Sequence, residues 1–204
     1  MGFKRESLYT NKSSIIQQQW LHRNCQPNFR INVTPDPSKS CGPYKPARGI
    51  SGRFPGTPEI NDNNHDTIGI VVVDFEGNIA AGTSTNGVNH KIPGRMGDSA
   101  VPGGGAYVDN EIGGAASTGD GDIMMRFLSS FQTVRNMAEG QSPRKAAERT
   151  IHAIASKYPN FSGAIIAANK AGEFGAACYG METFKFCIQN RFFKEVKVMS
   201  VKCL

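Results

Sequence analysis

Arg95 and Asp98 stand three residues apart in a glycine-rich stretch and offer opposite charges that could grip a zwitterion. The guanidinium would take a carboxylate in bidentate fashion and the carboxylate an ammonium. Their plainer reading is an exposed ion pair worth little. Four histidines, His22, His65, His90 and His152, and no G-x-S-x-G elbow argue against a serine hydrolase pattern. His22 and His152 read as ordinary surface or half-buried side chains. Asp120 and Asp122 form a D-x-D pair, but acidic residues at a helix start are favoured by capping and by the helix dipole, which displaces the metal reading. Gly114 to Gly119 imitates a phosphate-binding loop, yet Asp120-Gly121 follow where Lys and Ser or Thr are needed, so nucleotide binding is rejected. What remains is a turn of small residues feeding a helix start, whose N–H groups would suit an oxyanion or a carboxylate. Thr67, taken alone, is a residue that commonly opens a strand.

The elements that must position these groups fall into a readable order. From Pro35 to Thr67 the composition shifts, with six of the 11 prolines followed by Asn61-Asp62-Asn63-Asn64, which marks a loop or linker. Thr67 to Asp74 and Ile79 to Thr83 flank the turn Phe75-Glu76-Gly77-Asn78 and predict a β-hairpin. Asn86 to Gly105 is too long for an ordinary connection and is a candidate functional loop. Short strands are expected at Ala106 to Asp109 and Gly113 to Ser117. Apolar residues at Ile123, Phe127, Phe131 and Val134 then keep a helical period and predict one helix from about Asp120 to Glu139. Ser142-Pro143 opens a second helix, ended by Tyr158-Pro159. Ser162 to Ala168 and Glu173 to Cys178 predict another hairpin, with one or two strands in the tail from Met181. Hairpins alternating with helices imply antiparallel sheet with helices layered on it, an α+β fold.

The 204 residues suit one domain or a tight pair. Lys and Arg exceed Asp and Glu by 23 to 17, but no basic stripe or reading module stands out, so no nucleic-acid partner is expected. The longest apolar run, Ile68 to Val73, is far short of the roughly 18 residues of a membrane span, so no membrane partner is expected either. The opening residues have basic charge without an apolar stretch and are not a signal peptide as written. Five cysteines include no metal-type spacing, so neither a metal nor another cofactor is expected. Cys25 and Cys41 bracket a Pro-rich stretch with little regular structure of its own, where a bridge would constrain the unfolded chain usefully and which hints at an oxidising compartment. Glycosylation acceptor triplets at Asn11, Asn32 and Asn160 lean the same way.

Four clusters in order change the weight of the single residues: His65-Asp66-Thr67-Ile68-Gly69, Gly82-Thr83-Ser84-Thr85-Asn86-Gly87, Pro93-Gly94-Arg95-Met96-Gly97-Asp98-Ser99 and Thr118-Gly119-Asp120-Gly121-Asp122. With Asn24-Cys25-Gln26-Pro27 and Pro35-Asp36-Pro37-Ser38-Lys39, they resemble the glycosylasparaginase (aspartylglucosaminidase) branch of the N-terminal nucleophile hydrolases. The resemblance implies an αββα sandwich, and a precursor that cuts itself between Asp66 and Thr67, so that Thr67 becomes the nucleophile. It divides the chain into 1–66, the end of an α-subunit with its linker, and 67–204, the β-subunit. It implies that Arg95 binds the α-carboxylate of a glycoasparagine and Asp98 its α-amino group, that Met96, Gly97, Asp120 and Gly121 line the substrate, that Thr118 and Gly119 stabilise the oxyanion, and that Thr85 assists the nucleophile. It also implies bridges Cys25 to Cys41 and Cys178 to Cys203 with Cys187 unpaired, a lysosomal location, and a homodimer of cleaved αβ units. Family precursors carry a long segment upstream of residue 1 here, so the chain is expected to lack the N-terminal strands. An asparaginase or isoaspartyl peptidase of the same superfamily, and a catalytically silent truncated homologue, remain the alternatives.

Overall fold

The structure is a computed structural model that describes residues 2, 4–7, 9–47 and 67–204. Asp66 and most of the Pro-rich linker, residues 48–66, lie outside the described residues. The chain forms two compact units, one within residues 1–59 with His90–Gly94, the other within 60–89 and 95–204.

The first unit opens with helix α1, Asn11–His22. Thr10 and Ser13 form a reciprocal capping box in which each side chain accepts from the other's backbone N–H. This helix was not anticipated, because its apolar residues make no stripe and none is buried. The Trp20 indole N–H donates to the Pro27 carbonyl at 2.8 Å. A short antiparallel pair follows, β1 (Val33–Thr34) with β2 (Lys45–Pro46), and Cys25 is bridged to Cys41.

The second unit is α+β and follows the expected order closely. Strands β3 (Ile68–Val73) and β4 (Ile79–Ser84) form the first hairpin. Strands β5 (Ala106–Asp109), β6 (Gly113–Gly119), β7 (Gly163–Asn169) and β8 (Phe174–Tyr179) make one antiparallel sheet in sequence order. The tail forms a separate pair, β9 (Thr183–Ile188) with β10 (Lys197–Lys202). Cys178 is bridged to Cys203, and Cys187 is free and exposed.

Strand alternation assigns the two faces of the four-stranded sheet. On one face Ala115 of β6 with Ile165 and Ala167 of β7 join a core built from Met124, Val134, Met137, Ile151, Ile154 and Phe161. On the other face the hairpin packs closely enough that a Cβ on Gly69 would lie 3.0 Å from the Ala116 Cβ, and one on Gly114 would lie 2.8 Å from Val71 Cγ1. Helices, sheet and hairpin are thus three layers. The outward face of β3 leaves Ile68 70%, Ile70 59% and Val72 47% exposed.

Two expectations need correction. The single helix from Asp120 to Glu139 is two, α2 (Gly121–Phe127) and α3 (Ser129–Ala138), with Leu128 in the left-handed conformation between them (φ 46°, ψ 55°). The Ser129 and Ser130 hydroxyls reach the Gly104 carbonyl and Ser117 Oγ, while the Phe131 N–H donates to the Gly103 carbonyl at 2.9 Å. Apolar period alone could not register that competition for the backbone. The expected small-residue turn is not a turn either: β6 stays laddered to β7 from Gly113 to Gly119. The last helix, α4 (Pro143–Ala155), opens with Pro as predicted, although the Ser142 hydroxyl makes no capping bond.

Candidate active site

The alternation that sends Ala115 and Ser117 to the helical side turns Ala116 and Thr118 toward the hairpin. There Thr118 and Thr67, at the mouth of β3, line one cavity of about 700 Å3. Ala164 and Ile166 of β7 and the Phe184 to Cys187 stretch of β9 supply much of its apolar lining. The Thr67 hydroxyl donates to the Thr85 hydroxyl at 2.9 Å, and Thr85 Oγ1 also accepts from the Gly87 N–H at 2.8 Å. A strand-opening threonine is thereby held by the loop that follows the return strand.

That loop leads directly to the charged groups. A Cβ on Gly87 would lie 2.8 Å from the Arg95 guanidinium, and one on Gly97 2.9 Å from it. Arg95 Nε donates to Asp122 Oδ1 at 3.1 Å. The plain reading of Arg95 and Asp98 as an exposed pair therefore fails, since Arg95 pairs with a carboxylate 27 residues on and Asp98 is only 4% exposed. Asp98 lies in a 3-10 turn, Asp98–Ala100, cleared by Gly121, whose added Cβ would come 2.8 Å from Asp98 Oδ1. Burial pushes the Asp98 carboxyl up to about 6, with the Asp120 charge adding to it; backbone N–H groups and Arg95 oppose the rise. Burial also raises Asp120, with the Asp122 charge adding. Asp120 holds the N-cap position of α2, yet its side chain makes no capping bond. Met96 points outward and is exposed.

Three buried polar atoms have no hydrogen-bond partner among the described residues: Asp98 Oδ2, Ser99 Oγ and Thr118 Oγ1. Buried polar groups are nearly always satisfied, so these three orphans, two in the 3-10 turn and one near the end of β6, stand out. A carboxylate, a hydroxyl and a nearby guanidinium can together hold an ammonium, an oxyanion and a carboxylate. Among the described residues no cluster of His, Cys, Asp and Glu could hold a metal ion. Sequence reasoning missed Asp122 as the partner of Arg95 and the buried Ser117, Ser129 and Ser130 network behind Thr118. Adjacent serines inside an apolar helical period were the available signal.

Gly119 ends β6 at φ +129°, and an added Cβ would lie 2.4 Å from both the Gly163 Cα and the Ser162 carbonyl oxygen. Gly119→Ala is therefore expected to cost about 3 kcal/mol of unfolding free energy, measured by urea denaturation, because both backbone conformation and space are denied.

The second unit thus places a threonine pair, a buried acid and an arginine in the loops and strand ends beside β3 and β6. The chain belongs to the asparaginase family, whose sequence model matches residues 1–198. Rat and mouse proteins named N(4)-(beta-N-acetylglucosaminyl)-L-asparaginase are each 48% identical to it, over 207 and 208 residues, covering 100% of this chain and 60% of their own. A Drosophila persimilis protein that carries the same name provisionally is 51% identical over 211 residues, 100% of this chain and 54% of its own. The chain thus spans little more than half the length of the curated relatives it matches.

Proposed function

We propose that the chain is the nucleophile-bearing part of an amidohydrolase that cleaves the bond between N-acetylglucosamine and the asparagine side chain, after cutting itself between Asp66 and Thr67. The observation that carries this reading is the Thr67 hydroxyl bonded to Thr85 at a cavity that Thr118, whose buried hydroxyl has no partner among the described residues, also lines. The family and the relatives' shared name supply the substrate class.

In the precursor, Thr67 Oγ attacks the Asp66 carbonyl carbon, the peptide C–N bond breaks, and water hydrolyses the ester to leave a Thr67 amine. That amine, with a reference pKa of about 7.7 to 8.0, takes the hydroxyl proton, so no histidine is needed. Thr67 Oγ then adds to the substrate's side-chain amide carbon. The oxyanion is held by the Thr118 hydroxyl and Gly119. Breaking the amide C–N bond, with the proton returned from the Thr67 ammonium, releases the glycosylamine and leaves a β-aspartyl ester. Water hydrolyses that ester to free aspartate and the Thr67 hydroxyl. Arg95 takes the α-carboxylate and Asp98 the α-ammonium, while Met96, Gly97, Asp120 and Gly121 form the surrounding backbone of the substrate site. The reading extends to an αββα sandwich in the full-length protein, a division into subunits at the 66/67 bond, a homodimer of cleaved αβ units and a lysosomal location.

The second reading is an asparaginase or isoaspartyl peptidase, and the family's description as an asparaginase supports the first of these. Steady-state assays separate the two. The proposal expects kcat/KM for N-acetylglucosaminyl-asparagine to exceed that for asparagine and for a β-aspartyl dipeptide by about tenfold or more, about 1.4 kcal/mol of transition-state discrimination. The reverse order would transfer the assignment to the second reading.

A further inference from the structure

The first unit contains a cavity of about 350 Å3 that the proposed reaction does not use. Trp20 and His90 stack at its border, ring centroids 4.7 Å apart and planes 5° from parallel. Tyr44 also lines it, with the Arg30 guanidinium 5.1 Å from the ring centroid. These groups are held in place. The indole N–H is fixed on the Pro27 carbonyl. Asn28 Oδ1 accepts from the Arg30 backbone N–H at 3.1 Å, its Nδ2 donates to the Tyr44 hydroxyl at 2.7 Å, and that hydroxyl donates to the Ser40 carbonyl. His90 adopts φ +59°, a conformation uncommon for a residue other than glycine and concentrated at ligand sites.

Charge gives the cavity a sign. Among the described residues that line it, Arg30 and Lys91 are cationic and none is a carboxylate. Among the described residues no ion pair involves Arg30. The surrounding unit, residues 1–59 and 90–94, holds ten Lys and Arg against three Asp and Glu, whereas the rest of the chain holds thirteen against fourteen. The chain's net charge of +6 therefore comes from the segments that form this unit.

We propose that the cavity binds a small ring compound carrying an anionic group, a phosphate, sulfate or carboxylate, with the ring against the aromatic side chains and the anion taken by Arg30 and Lys91. Preorganised aromatic faces suit a ring, and a guanidinium held on its own aromatic neighbour keeps its N–H edge for an anion.

Trp20 is the single tryptophan of the chain, so its emission reads this cavity alone. The full chain is titrated at constant ionic strength with glucose 6-phosphate, phenyl phosphate, glucose and inorganic phosphate. At least one ring phosphate is expected to change the emission saturably, with half-saturation about tenfold or more below that of inorganic phosphate, while glucose leaves it unchanged. Arg30→Met and Lys91→Met are expected to raise the half-saturation concentration about tenfold each, with far-ultraviolet circular dichroism unchanged. Should one variant fail to fold, the other carries the test. No saturable change with either ring phosphate at millimolar concentration would overturn the proposal, as would equal affinity for inorganic phosphate or wild-type affinity in a folded variant.

Discussion

Replacing Thr67 by alanine is expected to abolish both the cut before residue 67 and amide turnover, with a loss of at least about 10^4-fold in kcat. One oxygen performs both reactions in the proposed scheme, so nothing remains to form either ester. The fold should survive, because Thr67 is only half-buried at the mouth of β3 and the β3–β4 ladder runs from Ile68 to Val73 without it. Thermal unfolding of the alanine variant should therefore match that of uncut wild type within about 2 °C. Thr67→Ser keeps the oxygen and should retain the cut and a measurable fraction of the rate. Alanine with substantial activity would remove Thr67 from the mechanism, and inactive, unfolded alanine protein would contradict the structural argument.

Asp98→Asn is expected to move stability and activity in opposite directions. The carboxylate is buried with one oxygen unpartnered, and its pKa is raised to about 6 from 3.8, mainly by burial. A folded pKa above the unfolded one means a contribution that is fully present below about pH 3.8 and is lost as pH rises through about 6. The amide does not titrate. The variant should thus match wild type near pH 3.5 and exceed it above pH 6, by up to about 3 kcal/mol at about 1.4 kcal/mol per pH unit. Chemical denaturation at the two ends of that window measures the difference. Activity should fall about 10^2- to 10^3-fold in kcat/KM, since the substrate ammonium loses its counter-charge in a buried site. In wild type, kcat/KM should rise with pH through about 6, where Asp98 of the free enzyme ionises, and the Asn variant should lack that limb. A variant as unstable as a cavity mutant at pH 8 would show that Asp98 is held by partners rather than waiting for one.

Much of the second unit was legible because its signals are local. The hairpins at Ile68 to Ser84 and Gly163 to Tyr179 follow from β-branched or small-residue runs closed by tight turns, and every strand bound lies within one residue of the expected one. Distant partners were not legible. Nothing around Arg95 says that Asp122 will claim its Nε, and nothing in the residue type of Asp98 says that it will be buried. The break at Leu128 was hidden for the same reason: Ser129 and Ser130 look like tolerated polar residues until Ser117 and the Gly104 carbonyl are brought beside them. Helix α1 escaped because it has no buried face, and only its Thr10 and Ser13 box announced it. The hydrogen bond of Thr67 to Thr85 was not legible either, since 18 residues of sequence carry no geometric hint that two hydroxyls will meet.

The identity of the amino-terminal residues in natively produced protein tests the central claim most directly. Amino-terminal sequencing combined with intact mass should find a polypeptide beginning at Thr67 with a free amine, and its amount should track the amidase activity. Folded protein that turns over substrate while every chain remains uninterrupted across residues 66 and 67 would contradict the account.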